Sequence, residues 1–162
     1  MDEQLESLVA KVGAALKARG LWLTTAESCT GGWVGEAMTS VSGSSQWYDR
    51  GFITYTNQAK QDMLGVDKTT LDSYGAVSNE TVREMALGAL QRSCADISVA
   101  ISGIAGPTGG TPEKPVGLTW LAWATKNGEI ISERHHFSGG RREVRRKAVK
   151  AALEGILALF EI

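Results

Sequence analysis

Leu5, Leu8, Val9, Val12, Ala15 and Leu16 recur three and four residues apart and stop at Arg19-Gly20. That spacing predicts an amphipathic helix with a glycine stop. The period then shortens. Residues 21–25 predict a short strand, 26–32 a turn, and a helix follows from Gly32 to about Thr39. After the polar break Ser42-Gly43-Ser44-Ser45, the run Gly51-Phe52-Ile53-Thr54-Tyr55 predicts a second strand. Asn57 is placed to cap a helix carrying Lys60, Met63 and Leu64. Ser78-Asn79-Glu80 opens another helix, with Val82, Met85, Ala86, Ala89 and Leu90 on one face. Residues 96–101 predict a buried strand. Residues 118–125 and 129–137 flank Lys126-Asn127-Gly128, and Asn-Gly suits the tight turn of a hairpin. Val144, Ala148, Ala152 and Ile156 lie four apart in a last helix over 141–160.

Strands separated by helices, then a hairpin and a terminal helix, predict an α/β fold. The expected architecture is a three-layer α/β/α sandwich with a mixed, mainly parallel sheet and one C-terminal antiparallel hairpin. Ligands in such sheets bind at the carboxyl ends of strands. Three loops leave strands there: residues 28–32, 55–60 and 102–110.

Composition narrows the class. The 162 residues are 43% hydrophobic and 22% charged, which suits one compact domain over residues 1–162. Seventeen basic and 18 acidic side chains leave a net charge of −1, so no global field favours nucleic acid or an anionic membrane. No apolar run approaches the ~20 residues of a membrane span. The start, Met1-Asp2-Glu3-Gln4, is acidic and lacks a leader's basic-then-apolar pattern. Cys29 and Cys94 are too few for a disulfide framework or a cysteine-rich zinc site, so a reducing, cytoplasmic setting without metal or cofactor is expected. The 19 glycines cluster beside apolar runs, as in ordered loops that hug a ligand or another backbone. Trp33 and Trp47 are read either as core or as an oligomer interface, and a homo-oligomer, a dimer first, is expected.

Chemistry concentrates in the three loops. Ser28 follows a strand and precedes a helix whose first N–H groups would be unpaired. It is read either as a helix cap or as a nucleophile, with the N–H groups of Cys29, Thr30 and Gly31 stabilising an oxyanion. Cys29 competes for the nucleophile's role, since a thiol at a helix start has a lowered pKa. His135 and His136 are adjacent on a strand and point to opposite faces, so a Ser-His-Asp triad is poorly supported. Lys60 is the better base if burial lowers its pKa, and Tyr55 would relay or orient the proton; an exposed helix lysine is the plain alternative. The glycine-rich run from Ser102 to Gly117 matches neither dinucleotide nor P-loop patterns, yet it can present N–H groups to an anion. Arg141, Arg142, Arg145, Arg146, Lys147 and Lys150 face one acid, Glu143, and Arg141 and Arg145 can share a helix face toward a phosphate.

Several stretches in order resemble the CinA C-terminal-domain family in its stand-alone form. They are Ala26-Glu27-Ser28-Cys29-Thr30-Gly31-Gly32, residues 51–60, Gly75-Ala76-Val77-Ser78, Ser102-Gly103-Ile104-Ala105-Gly106-Pro107 and Lys114-Pro115-Val116-Gly117. The resemblance implies hydrolysis of nicotinamide mononucleotide to nicotinate mononucleotide and ammonia, with no cofactor and a small nucleotide as the partner. By the same resemblance Ser28 is the nucleophile, Lys60 the general base and Tyr55 the tyrosine beside it. Asn57, Ser102, Gly103, Gly106, Gly109, Arg141 and Arg145 are then expected around the substrate. A nucleotide-binding regulatory module without turnover is the alternative. A β-lactamase-type Ser-x-x-Lys is disfavoured, because position 31 is Gly31.

Overall fold

In the computed structural model, which describes residues 2–161, the Asp2 carboxylate accepts the N–H groups of Gln4 and Leu5 and starts α1 (Glu3–Arg19). Gly20 closes that helix in the left-handed conformation. The chain continues through β1 (Leu23–Glu27), α2 (Trp33–Thr39), a 3₁₀ turn (Ser44–Gln46) and β2 (Tyr48–Ile53). Three helices follow, α3 (Asn57–Leu64), α4 (Lys68–Tyr74) and α5 (Asn79–Gln91). β3 (Ile97–Gly103), β4 (Leu118–Thr125), β5 (Ile130–His136) and α6 (Arg141–Ala158) complete it.

The five strands form one mixed sheet in the order β2-β1-β3-β4-β5. β1 pairs in parallel with β2 and β3, whereas β3–β4 and β4–β5 are antiparallel. The reversal follows from the connection. Parallel neighbours need a crossover, usually helical, and residues 104–117 supply only a loop. As expected, β4 and β5 are the two arms of the Asn-Gly hairpin.

The two faces of the sheet are built differently. Leu23, Ile97, Val99, Ile101, Leu121 and Trp123 meet α1, α2 and α6 in a core of large side chains. On the other face Ala26, Ala100, Ala122 and Ala124 meet Met85, Ala86 and Ala89 of α5, together with Leu64 and Leu71. Small residues let α5 lie close, and the buried Ser98 Oγ donates to the Ala86 carbonyl at 2.7 Å. On the large-residue face Trp123 needs a hole in α6. A Cβ on Gly155 would stand 2.0 Å from its ring.

Local details depart from expectation in ways that matter for the site. Thr56, not Asn57, caps α3, its hydroxyl accepting the Ala59 N–H at 3.0 Å. β2 spans Tyr48–Ile53 rather than 51–55, which frees Thr54 and Tyr55 to act as a loop. Trp47 is buried in the core against Gly13, so it is no interface residue, while Trp33 is half-buried beside the same core. Among the described residues no helix is long and apolar enough to cross a membrane.

Candidate active site

β1 and β3 are parallel neighbours, so their carboxyl ends deliver residues 28–32 and 102–110 to the same edge of the sheet. β2 adds Thr54 and Tyr55 there, and α3 turns Lys60 back toward them. Between these loops lies a cavity of about 290 Å³, near the lower end of the range typical for small-molecule sites. Of the residues singled out in the sequence, Ser28, Cys29, Tyr55, Lys60, Ser102, Gly103, Gly106, Gly109 and Arg141 line it. Ala76, Ile104, Ala105 and Thr108 complete the wall. Thr30, Gly31, Asn57 and Arg145 are not in the lining. A larger cavity of about 430 Å³, beside Asp96 and Phe160, brings none of these residues together.

Ser28 and Lys60 form the deepest contact. Lys60 is 1% exposed, and its Nζ lies 3.0 Å from Ser28 Oγ, 3.0 Å from the Thr54 carbonyl and 3.3 Å from the Tyr55 carbonyl. Burial pushes the amine down from its usual 10.5 to about 8, against an opposing pull from Cys29. A neutral amine has two N–H bonds and one lone pair. The carbonyls accept only, so with the amine neutral they take its two N–H groups and its lone pair faces Ser28 Oγ, whose hydroxyl has the Tyr55 carbonyl at 3.4 Å as its other acceptor. Among the described lining residues there is no carboxylate or imidazole, which leaves Lys60 as the titratable partner of Ser28. The two histidines lie elsewhere. His135 pairs with Glu133 at 2.9 Å, a carboxylate two residues away on its own strand face, and His136 meets the Val116 carbonyl at 3.0 Å.

The segment after Ser28 differs from a free helix start. Glu27, the last residue of β1, is 2% exposed and turns its carboxylate onto α2. It accepts the Thr30 hydroxyl at 2.6 Å, the Val34 N–H at 2.9 Å and the Gly35 N–H at 3.0 Å. The helix N–H groups expected to be free are thus occupied. Gly31 N–H is also engaged, by the Ser28 carbonyl at 3.0 Å, which removes it from the expected set of oxyanion donors. The N–H groups of Cys29 and Thr30 meet no acceptor among the described residues. Burial pushes the Cys29 thiol up to about 11, with Arg145 lowering and Glu27 raising it, so the thiolate expected at a helix start is not favoured.

At the rim the Tyr55 side chain is 59% exposed, and its hydroxyl accepts from Arg141 Nη2 at 3.3 Å. No hydrogen bond joins that hydroxyl to Ser28 or Lys60. What meets Ser28 and Lys60 here is the Tyr55 main-chain carbonyl, 3.4 Å from Ser28 Oγ and 3.3 Å from Lys60 Nζ. Arg141 Nη1 donates to the Gly106 carbonyl at 2.9 Å, which ties α6 to the glycine-rich loop. Ser102 Oγ donates to the Ala76 carbonyl at 2.8 Å and anchors the end of β3. Asn57 is exposed on the first turn of α3 and away from the cavity, because the chain needs Thr56 rather than Asn57 as the cap. Arg145 spends its donors on the backbone, Nε to Cys29 O at 3.0 Å and Nη2 to Thr30 O at 3.2 Å.

A profile of the CinA C-terminal domain matches residues 5–160. The chain belongs to the CinA C-terminal-domain family. It is 55% identical over 159 residues to the nicotinamide-nucleotide amidohydrolase PncC of Escherichia coli K12, covering 98% of this chain and 96% of that one. The protein of the same name from Enterobacter agglomerans is 50% identical over 98% of this chain and 97% of its own. Among solved structures, the competence/damage inducible protein CihA of Agrobacterium tumefaciens superposes with a TM-score of 0.95 at 48% identity, covering 97% of this chain and 96% of that one.

Within this CinA-family site, Glu27 and the Thr54 carbonyl escaped the reading of the sequence. Glu27 stood in a quoted motif without a role, although an acid six residues before a helix that lacks a side-chain cap is a readable signal. The Thr54 carbonyl carried no signal, since a main-chain oxygen has no sequence letter.

Proposed function

We propose that this amidohydrolase of the CinA C-terminal-domain family converts nicotinamide mononucleotide to nicotinate mononucleotide and ammonia, with Ser28 as nucleophile and Lys60 as general base. The observation that carries the reading is the 3.0 Å contact of Lys60 Nζ with Ser28 Oγ, while two carbonyls occupy the amine's other donors. The relatives named nicotinamide-nucleotide amidohydrolase supply the substrate.

In this mechanism neutral Lys60 takes the proton of Ser28 Oγ as that oxygen bonds to the carboxamide carbon. The former carbonyl oxygen becomes an oxyanion facing the Cys29 N–H, a loop donor that meets no acceptor among the described residues and belongs to a residue lining the cavity. Lys60 passes its proton to the nitrogen, the C–N bond breaks, and ammonia leaves a nicotinoyl ester on Ser28. Water then attacks the ester. Lys60 takes one proton of the water and returns it to Ser28 Oγ as the acid leaves, and the acid gives its remaining proton to solvent to become the carboxylate product. At the rim Arg141 and the glycine-rich loop hold ribose and phosphate, so remote binding energy orients the carboxamide over Ser28.

The test is ammonia release from nicotinamide mononucleotide by the wild type and by Ser28→Ala, Lys60→Ala and Cys29→Ala. Turnover is expected to vanish in the first two. Cys29→Ala keeps its main-chain N–H and is expected to lose far less. Loss confined to Cys29→Ala would move the nucleophile by one residue. A folded wild type that binds the mononucleotide without turnover would leave a binding module and sink the proposal.

A further inference from the structure

Arg145 lies 116 residues along the chain from Cys29, yet its fork closes on two successive carbonyls of the nucleophile loop. The peptide between Cys29 and Thr30 is therefore turned with its C=O toward the guanidinium. In a trans peptide the N–H points the opposite way. The Thr30 N–H is consequently aimed away from Arg145, and no acceptor among the described residues meets it. The next peptide obeys the same rule. Its carbonyl, Thr30 O, also faces Arg145, and the opposed Gly31 N–H reaches the Ser28 carbonyl.

The clamp has a second jaw. The Glu27 carboxylate holds the Thr30 hydroxyl from the protein interior, so Thr30 is gripped through its side chain on one side and its carbonyl on the other. Arg145 is itself braced, its guanidinium carbon 5.5 Å from the centre of the Trp33 ring.

We infer that Arg145 is a positioning residue rather than a ligand of the nucleotide: by bridging the carbonyls of Cys29 and Thr30 it fixes the loop that carries Ser28 and Cys29 into the cavity. The inference rests on the Ser28–Lys60 reading and assigns the loop's geometry to a residue outside the cavity. A loop that holds the attacking hydroxyl and its neighbouring N–H out of line misplaces groups that act in the transition state, so its loosening lowers kcat and leaves ground-state binding nearly intact.

The experiment measures kcat and KM for nicotinamide mononucleotide in Arg145→Met and Arg145→Lys, with thermal melts to confirm folding. The expected result for Arg145→Met is a kcat about 10- to 100-fold lower with KM within about twofold of wild type. Arg145→Lys should show a smaller loss of kcat with the same split, because one ammonium cannot bridge both carbonyls as a planar fork does. A raised KM with kcat kept would make Arg145 a substrate ligand and overturn the inference. Unchanged kcat and KM would overturn it too. Should Arg145→Met fail to fold, the lysine variant carries the test, and wild-type kcat in it would refute the clamp. Ser28→Ala run alongside separates the two readings: turnover surviving in that variant would sink the Ser28 mechanism itself.

Discussion

At the floor of the cavity Lys60 is 1% exposed and surrounded by three oxygen atoms; at the rim Arg141 stands open to solvent, holding the Gly106 carbonyl and the Tyr55 hydroxyl. Both are basic side chains lining one pocket. Burial makes one of them titratable near neutrality, at about 8, whereas a guanidinium keeps its charge throughout. On the proposed mechanism a single cavity separates proton transfer at its floor from anion binding at its rim. The floor needs a group that can give up its charge, and the rim needs one that cannot.

The sharpest way to break this contrast is to remove the floor. Lys60→Met keeps the length and removes the base, and kcat should fall by about 10²–10⁴-fold, while KM for nicotinamide mononucleotide changes little. Loss of binding with retained kcat would show that Lys60 works like the rim.

Next in size is the pH profile. As the proposed general base Lys60 acts in its neutral form, and with a midpoint at about 8 only about one-tenth of it is neutral at pH 7. Steady-state kcat/KM should therefore rise about tenfold from pH 7 and level above about 8.5. Stability follows the same group. Because the folded-state value lies below the unfolded 10.5, the unfolded chain binds more protons between about 8 and 10.5, and the Lys60 contribution to unfolding free energy rises with pH across that window. A denaturation series in which Lys60→Met keeps the same slope as wild type there would deny Lys60 its depressed pKa.

A smaller effect is expected at the rim. Arg141→Ala should raise KM for the mononucleotide by about 10-fold, the worth of a charge-assisted hydrogen bond, with kcat reduced by less. The smallest expected effect is at Tyr55. Tyr55→Phe deletes only the hydroxyl that meets Arg141, and the carbonyl that holds Lys60 stays, so kcat should remain within about threefold. A loss of a hundredfold would restore the proton relay to the side chain.

Much of the scaffold was legible. α1, α5 and α6 each bury one stripe, and a stripe at helical spacing is visible in a single sequence. The β4–β5 hairpin was announced by Asn127-Gly128. α4 was not anticipated, because Lys68–Tyr74 buries Leu71 alone and so has no period to read. β2 was displaced because its first residues, Tyr48-Asp49-Arg50, are those of a polar edge strand. In the site, the loops at strand ends pointed to Ser28 and Lys60, and both line the cavity. Arg145 was read toward a phosphate because spacing gives the face of a helix and not what that face meets.

Local order in this protein follows from the chain itself. Periodicity sets the helices, turn chemistry sets the hairpin, and runs of motifs in order identify the family, since each depends on neighbours within a few residues. The properties that make chemistry depend on partners far along the chain. Lys60 meets Ser28 across 32 residues, and Arg145 meets Cys29 across 116. Burial, and with it the depressed lysine, is a sum over everything packed around a group, and only the folded chain assembles that sum. Sequence placed a serine and a lysine on two loops; tertiary structure brought them to 3.0 Å, buried the lysine and turned its remaining donors onto two carbonyls.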